Sequence, residues 1–471
     1  MRAVVAARVR GITLRVACAQ LCARSVAQAR EALADITAAI RRARRNEASL
    51  LVLPECSYPG YVLLDAHPYR HTIPSDAEAL TVISREARRK KVAVVVGIAR
   101  TKPDGSLRNE AVLIDAAGNE IGSYAKARLW NFDQRWFRAG RDVPVFETAF
   151  GRIGMMICAD GRNPEIARTL AAKGAWLVAD PTAWVGFGPS HAQIRNVQAD
   201  YMLRVRALEN GIWIAAADKC GSELGAVHYA GYSQIVAPDG SVAAHAVPDQ
   251  PQFIATDVKR TKPAPYISFL SAADRAALCR RPRKNGPLRR LPPRLWMAMY
   301  QSAPRRRDDP RALEALVAQT VSAVIRTGDS AAAMTQALDR ARGLRFELLT
   351  GEAMVAPEPA RAAALRGADL LLWRLPPNGL PVVDIARTRA VENRVYVAVC
   401  SHSDGTAPAC LIHPDGSIVG SALAGLPSGF VAVVDTIAAR RKEVVPGTQT
   451  FADRLPNAYR WLDRATGAVV S

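Results

Sequence analysis

Short apolar runs recur along the first 260 residues, and between them lie stretches with helical spacing. Thr13–Gln20, Leu50–Leu53, Val92–Ala99, Ala111–Asp115, Arg152–Cys158, Trp176–Ala179, Ile212–Ala217, Ser233–Ala237 and Phe253–Asp257 read as strands, whereas Val26–Arg45, Ser75–Lys90, Pro164–Lys173 and Ala192–Asn210 read as helices. Alternation of the two predicts an α/β chain built in layers. With 471 residues, 49% of them hydrophobic, the chain exceeds what one core usually serves, and two domains are expected.

Three polar residues stand just past strand-like runs. Cys158 ends the run before Ala159-Asp160-Gly161-Arg162-Asn163-Pro164, Glu55 follows Leu50-Leu51-Val52-Leu53-Pro54, and Lys126 lies in Ser123-Tyr124-Ala125-Lys126. A side chain at a strand end projects beyond the packed sheet, and the free N–H groups of the following turn can bind a developing oxyanion. Taken singly, each residue reads as structural: a core thiol, a capping acid, a surface charge. Together, a carboxylate, an ammonium and a thiol are the parts that acyl transfer to cysteine requires.

These stretches, in this order, resemble the nitrilase or carbon–nitrogen hydrolase superfamily, whose members hydrolyse amides, carbamoyl groups or nitriles through a Glu-Lys-Cys triad. The resemblance also includes Val16-Ala17-Cys18-Ala19-Gln20, Pro59-Gly60-Tyr61, Asn109-Glu110-Ala111-Val112, Arg206-Ala207-Leu208-Glu209-Asn210, Gly231-Tyr232-Ser233 and Pro238-Asp239-Gly240. It implies an αββα sandwich. It also implies Glu55 as general base, Lys126 and the N–H of Ala159 as oxyanion donors and Cys158 as nucleophile, forming a thioester without metal or organic cofactor. Many members carry a second glutamate after the lysine; here Asp133 stands nearest that place, with Gln134 adjacent. Nitrile-cleaving members tend to follow the cysteine with Trp-Glu, whereas Ala159-Asp160 is closer to the amidase and carbamoylase branches. Tyr61, Trp130, Trp136, Trp184 and Phe187 are expected in loops that line the pocket or pack beside it. The expected activity is cleavage of a non-peptide C–N bond in a small amide or N-carbamoyl substrate, releasing ammonia or an amine. A nitrile hydrolase and a non-catalytic binding scaffold are the alternatives. An amide-transferring enzyme would need a nucleotide-binding loop, and no GxxxxGK[ST] stretch occurs in the second half.

Eight scattered cysteines fit reduced, mostly structural thiols. Cys400, His402, Cys410 and His413 flank an expected hairpin, where neighbouring side chains point to alternate faces, and His67 and His71 enclose Pro68, so neither set is read as a metal site. No run reaches the ~20 apolar residues that span a bilayer. Residues 1–10 read as a short extension without a clean cleavage site, in a cytoplasmic protein. The net charge of +20 is concentrated between Lys259 and Arg307, among prolines, so residues 261–310 are expected to form a basic connector rather than a specific nucleic-acid reader.

Beyond it the sequence repeats. Pro357-Glu358-Pro359-Ala360-Arg361 echoes Pro164-Glu165-Ile166-Ala167-Arg168, and Arg389-Ala390-Val391-Glu392-Asn393 echoes Arg206-Ala207-Leu208-Glu209-Asn210. Residues 311–471 are thus expected to be a truncated, degenerate αββα-like copy of the 11–260 domain, paired with it as an intramolecular pseudo-dimer. The ungapped alignment puts Gly351 where Cys158 stands, so chemistry belongs to the first domain.

Overall fold

The computed structural model describes residues 13–63, 73–186, 194–266, 270–279, 294–301, 322–327, 329–376, 379–400, 408–423 and 428–456. The expected extension at 1–10, and His67, His71, Phe187 and His402, lie outside them. The chain divides into two units, Met1–Pro265 and Tyr266–Ser471.

The strands of the first unit are β1 (Thr13–Cys22), β2 (Leu50–Val52), β3 (Ala93–Thr101), β4 (Leu107–Ile114), β5 (Glu120–Ala125), β6 (Val145–Thr148), β7 (Gly151–Met155), β8 (Leu177–Pro181), β9 (Val185–Gly186), β10 (Trp213–Ala217), β11 (Lys219–Cys220), β12 (Ser222–Glu223), β13 (Val227–Tyr229), β14 (Gln234–Val236), β15 (Val242–His245) and β16 (Gln252–Lys259). One sheet runs β11-β1-β2-β3-β4-β5, with β16 also paired to β1, and a second runs β15-β14-β10-β8-β7-β6. They face each other where β2 and β3 meet β8 and where β1 meets β10. Helices α1 (Ala29–Arg45) and α2 (Asp76–Lys90) bury Ile36, Ile40, Leu80 and Ile83 against Ala17, Leu51, Val94 and Val96 of the first sheet. Helix α3 (Pro164–Ala172) packs on β7, and α4 (Leu203–Asn210) on β10 and β14. The layers are therefore αββα.

Local chemistry sets the ends of these elements. Ser75 caps α2 by accepting from the N–H of Glu78, whose carboxylate accepts in return from the N–H of Ser75. Beyond β2 the chain crosses the middle of β3 at Gly97 and joins the two sheets, since the N–H of Glu55 donates to the carbonyl of Thr182 at 3.1 Å. Only glycine fits beneath that crossing: a Cβ on Gly97 would stand 2.3 Å from the Pro54 carbonyl oxygen and 2.6 Å from Glu55 Cα.

In the second unit, β17 (Arg294–Gln301) pairs with β18 (Ala323–Arg326) and β24 (Ser428–Asp435). The other sheet runs β19 (Phe346–Thr350), β20 (Leu370–Arg374), β21 (Tyr396–Cys400), β22 (Cys410–Ile412) and β23 (Ile418–Ser421). Helices α5 (Ala272–Cys279), α6 (Ala331–Asp339), α7 (Pro357–Arg366) and α8 (Val382–Asn393) complete the elements used below. The pairings follow those of the first unit. Strand β17 is parallel to β18 and antiparallel to β24, as β1 is to β2 and β16. Phe346 faces Leu370 and Leu370 faces Tyr396, as Ile153 faces Leu177 and Leu177 faces Trp213. Between β18 and β19 the described residues hold only α6, where the first unit has β3 to β6.

The span 261–310 is not all connector. It contains α5 and β17, and Leu295, Met297 and Met299 of β17 alternate into the core of the second unit. Flanking arginines and prolines hid this short apolar run, so the expected boundary at residue 311 fell too late.

Candidate active site

Glu55, Lys126 and Asp133 meet in the interior of the first unit, away from solvent. Lys126 Nζ lies 2.7 Å from Glu55 Oε1 and 2.6 Å from Asp133 Oδ2, with all three side chains fully buried. Lys126 directly follows β5, and Asp133 sits on the short 3-10 turn Asn131–Arg135. The amide of Asn109, on β4, donates to Glu55 Oε1 at 2.6 Å, the Tyr61 hydroxyl to Asp133 Oδ1 at 2.6 Å, and the N–H of Trp130 to Asp133 Oδ2 at 3.0 Å. Asp133, rather than exposed Gln134, therefore faces the lysine.

Cys158 lies three residues beyond β7, not within the strand, and its φ of 49° turns the chain out of the extended conformation to open the 3-10 turn Cys158–Arg162. Such a conformation costs a non-glycine residue on the order of 1–3 kcal/mol and persists only where the surroundings impose it. Here the N–H of Cys158 donates to Asp180 Oδ1 at 2.9 Å, at the end of β8, and Gln198 Nε2 donates to the Cys158 carbonyl at 2.6 Å. The thiol faces the Ala183 carbonyl at 3.6 Å. Asp160 anchors the turn by accepting from the N–H groups of Ile157 and Arg128 and from the Tyr124 hydroxyl. Ala159 is on the first turn of this helix, where N–H groups lack intrahelical acceptors.

Burial pushes the Cys158 thiol well above its ordinary value; Glu55 adds to the rise and Lys126 opposes it. Burial also raises the Glu55 carboxyl, against the pull of Lys126 and with the push of Asp133. Burial alone would lower Lys126, but the charges of Asp133 and Glu55 outweigh it and hold the ammonium well above its usual range. The arrangement thus offers a protonated thiol, a carboxyl poised to exchange a proton, and a fixed positive charge.

Of the expected pocket residues, Tyr61 reaches the cluster through Asp133. Trp130 lies under the Arg162 guanidinium, 4.5 Å from its ring centre, and Trp136 packs on Phe132 and Phe137. Trp184 is fully buried and its backbone N–H donates to Asp218 Oδ1. Asn109, Asp160, Asp180 and Gln198 were not assigned roles from sequence. Asn109 and Asp160 lie in stretches that carry the family resemblance, while Asp180 and Gln198 carry no local signal. Among the described residues no group of three or more His, Cys, Asp or Glu is arranged to hold a metal, and no helix is long and apolar enough to cross a membrane.

The carbon-nitrogen hydrolase family model matches residues 15–266. The Pseudomonas protegens protein named "Hydrolase in pqqF 5'region" is 35% identical over 213 residues, 45% of this chain and 72% of that protein. A protein named nitrilase from Pyrococcus abyssi is 34% identical over 211 residues, 44% of this chain and 75% of its own. The deaminated glutathione amidase of Escherichia coli O157:H7 is 29% identical over 249 residues, covering 51% and 84%.

Proposed function

Since the chain belongs to the carbon–nitrogen hydrolase family of the nitrilase superfamily, we propose that it cleaves a small amide or N-carbamoyl substrate through a thioester on Cys158. The observation that carries this reading is the buried Glu55–Lys126–Asp133 cluster, two of whose charges, Glu55 and Lys126, act on the thiol of Cys158.

The proton moves through Glu55 at every step. The thiol is protonated at rest, so attack needs a base, and Glu55, raised by burial, takes the proton as sulfur adds to the carbonyl carbon. Lys126 remains an ammonium and, with the N–H of Ala159, stabilises the tetrahedral oxygen; loss of one such donor typically costs about 2.7–4 kcal/mol of barrier. Glu55 then returns the proton to the departing nitrogen as the C–N bond breaks. Water, deprotonated by the same carboxylate, opens the thioester and regenerates the thiol. Incubation with amide, N-carbamoyl and nitrile panels, followed by ammonia release, tests the reading: turnover confined to nitriles would replace it with a nitrilase, and no turnover together with an inert Cys158 would leave a binding scaffold.

The second unit is proposed to be a degenerate copy without chemistry of its own. Gly351 opens the turn after β19 with a φ of 56°, as Cys158 opens the turn after β7, and glycine has no nucleophile. The helices keep their buried polar links: Arg206–Glu209 at 2.7 Å and Arg389–Glu392 at 2.8 Å, with Arg168 donating to the Glu209 carbonyl as Arg361 does to that of Glu392. We propose that the two units pair as an intramolecular pseudo-dimer, as two copies of one domain can do through a shared face.

A further inference from the structure

Glu223, at the end of β12, is 1% exposed and lies far in sequence from the cluster, yet its carboxylate is fastened to the segment that borders it. Oε1 accepts from the N–H of Val62 at 2.7 Å and of Tyr61 at 3.0 Å, and Oε2 from the Tyr229 hydroxyl at 2.8 Å. Lys219 Nζ stands 3.6 Å from Oε2. A Cβ on Gly60 would sit 3.0 Å from Glu223 Oε1 and 2.8 Å from the Arg24 carbonyl oxygen, so glycine is what admits the carboxylate to this backbone. From Tyr61 the hydroxyl continues to Asp133, and Asp133 to Lys126. Two lysines approach the Tyr61 ring, with Lys126 Nζ 5.9 Å and Lys219 Nζ 5.7 Å from its centre.

We propose that Glu223 is a positioning residue for the reaction: by fixing the backbone of Tyr61 it holds Asp133, and through Asp133 it sets the place of the Lys126 ammonium. This rests on the reading of Lys126 given above. A buried carboxylate carries a desolvation cost that a well-packed apolar residue avoids, so stability alone does not account for its presence. Placement of a catalytic charge does, because a shift of about 1 Å in such a group can cost about 100-fold in rate.

The test follows alkylation of Cys158 by iodoacetamide as a function of pH in the full chain, read on the Cys158 peptide by mass spectrometry. The groups whose charges bear most on that thiol are Glu55 and Asp180, which raise it, and Lys126, which lowers it. Glu223→Gln is expected to move the reactivity midpoint upward by about one pH unit, because Lys126 is no longer held where it lowers the thiol. Simple removal of the Glu223 charge would shift it downward, so the sign separates positioning from bulk electrostatics. Tyr61→Phe breaks the next link while leaving the backbone bonds of Glu223 intact; it should move the midpoint the same way, and the double variant no further than the larger single one. A midpoint unmoved or lowered in both single variants, while Lys126→Met raises it, overturns the relay and leaves the triad standing. If Lys126→Met also leaves it unmoved, Lys126 does not act on the thiol and both proposals fall.

Discussion

Glu55 and Lys126 form an ion pair at 2.7 Å with neither side chain open to solvent. Two charges so placed have exchanged hydration for each other, for Asp133 and for Asn109, and removing one partner leaves the rest uncompensated. Lys126→Ala should therefore abolish hydrolysis and also destabilise the fold by roughly 3–5 kcal/mol. Glu55→Gln, which keeps an acceptor for Lys126, should abolish hydrolysis with a much smaller fall in melting temperature. Calorimetry beside an ammonia assay checks both, and equal melting temperatures for the two variants would contradict the pairing.

Cys158→Ala should remove turnover while leaving the melting temperature nearly unchanged, because the substitution deletes one sulfur and keeps a side chain at the same φ of 49°. Its loss should not multiply with that of Glu55→Gln, since the two act in one step. Additive losses in the double variant would mean that the groups work separately.

Stability should depend on pH through the buried aspartates. Burial raises Asp218 to about 7 and Asp160 to about 6. A carboxyl that holds its proton more tightly when folded favours the folded state fully below its unfolded value of about 3.9, and that advantage is lost as pH rises through the folded value. The melting temperature should fall from about pH 4 toward pH 7, and Asp218→Asn should flatten the upper part of the fall. An unchanged slope in that variant would show that Asp218 does not titrate there.

Truncation after Pro265, the boundary between the units, should leave a protein that aggregates or forms homodimers if the second unit covers the first. Size-exclusion chromatography with light scattering decides it. A monomeric, soluble and fully active fragment would end the pseudo-dimer proposal.

The layered fold of the first unit was legible because strands buried on both faces read as unbroken apolar runs such as Val92–Ala99, and because stretches such as Ser75–Lys90 keep helical spacing between them. Glu55, Lys126 and Cys158 were legible because each closes or follows such a run. Asp180 and Glu223 were not, since their roles depend on which strand ends meet across the sandwich, and no local spacing records that. Strand β17 was missed for a different reason: one short apolar run between arginine-rich and proline-rich stretches looks like a connector until its pairing with β24 is known.

The central claim is a thioester on Cys158, and the most direct test is intact-protein mass spectrometry of the full chain quenched in acid during turnover of an amide and N-carbamoyl panel. The expected result is a mass increase equal to the acyl or carbamoyl group, mapped to the Cys158 peptide, released by hydroxylamine and absent in Cys158→Ala. Ammonia or amine release that continues in Cys158→Ala, with no adduct on the native chain, would contradict it.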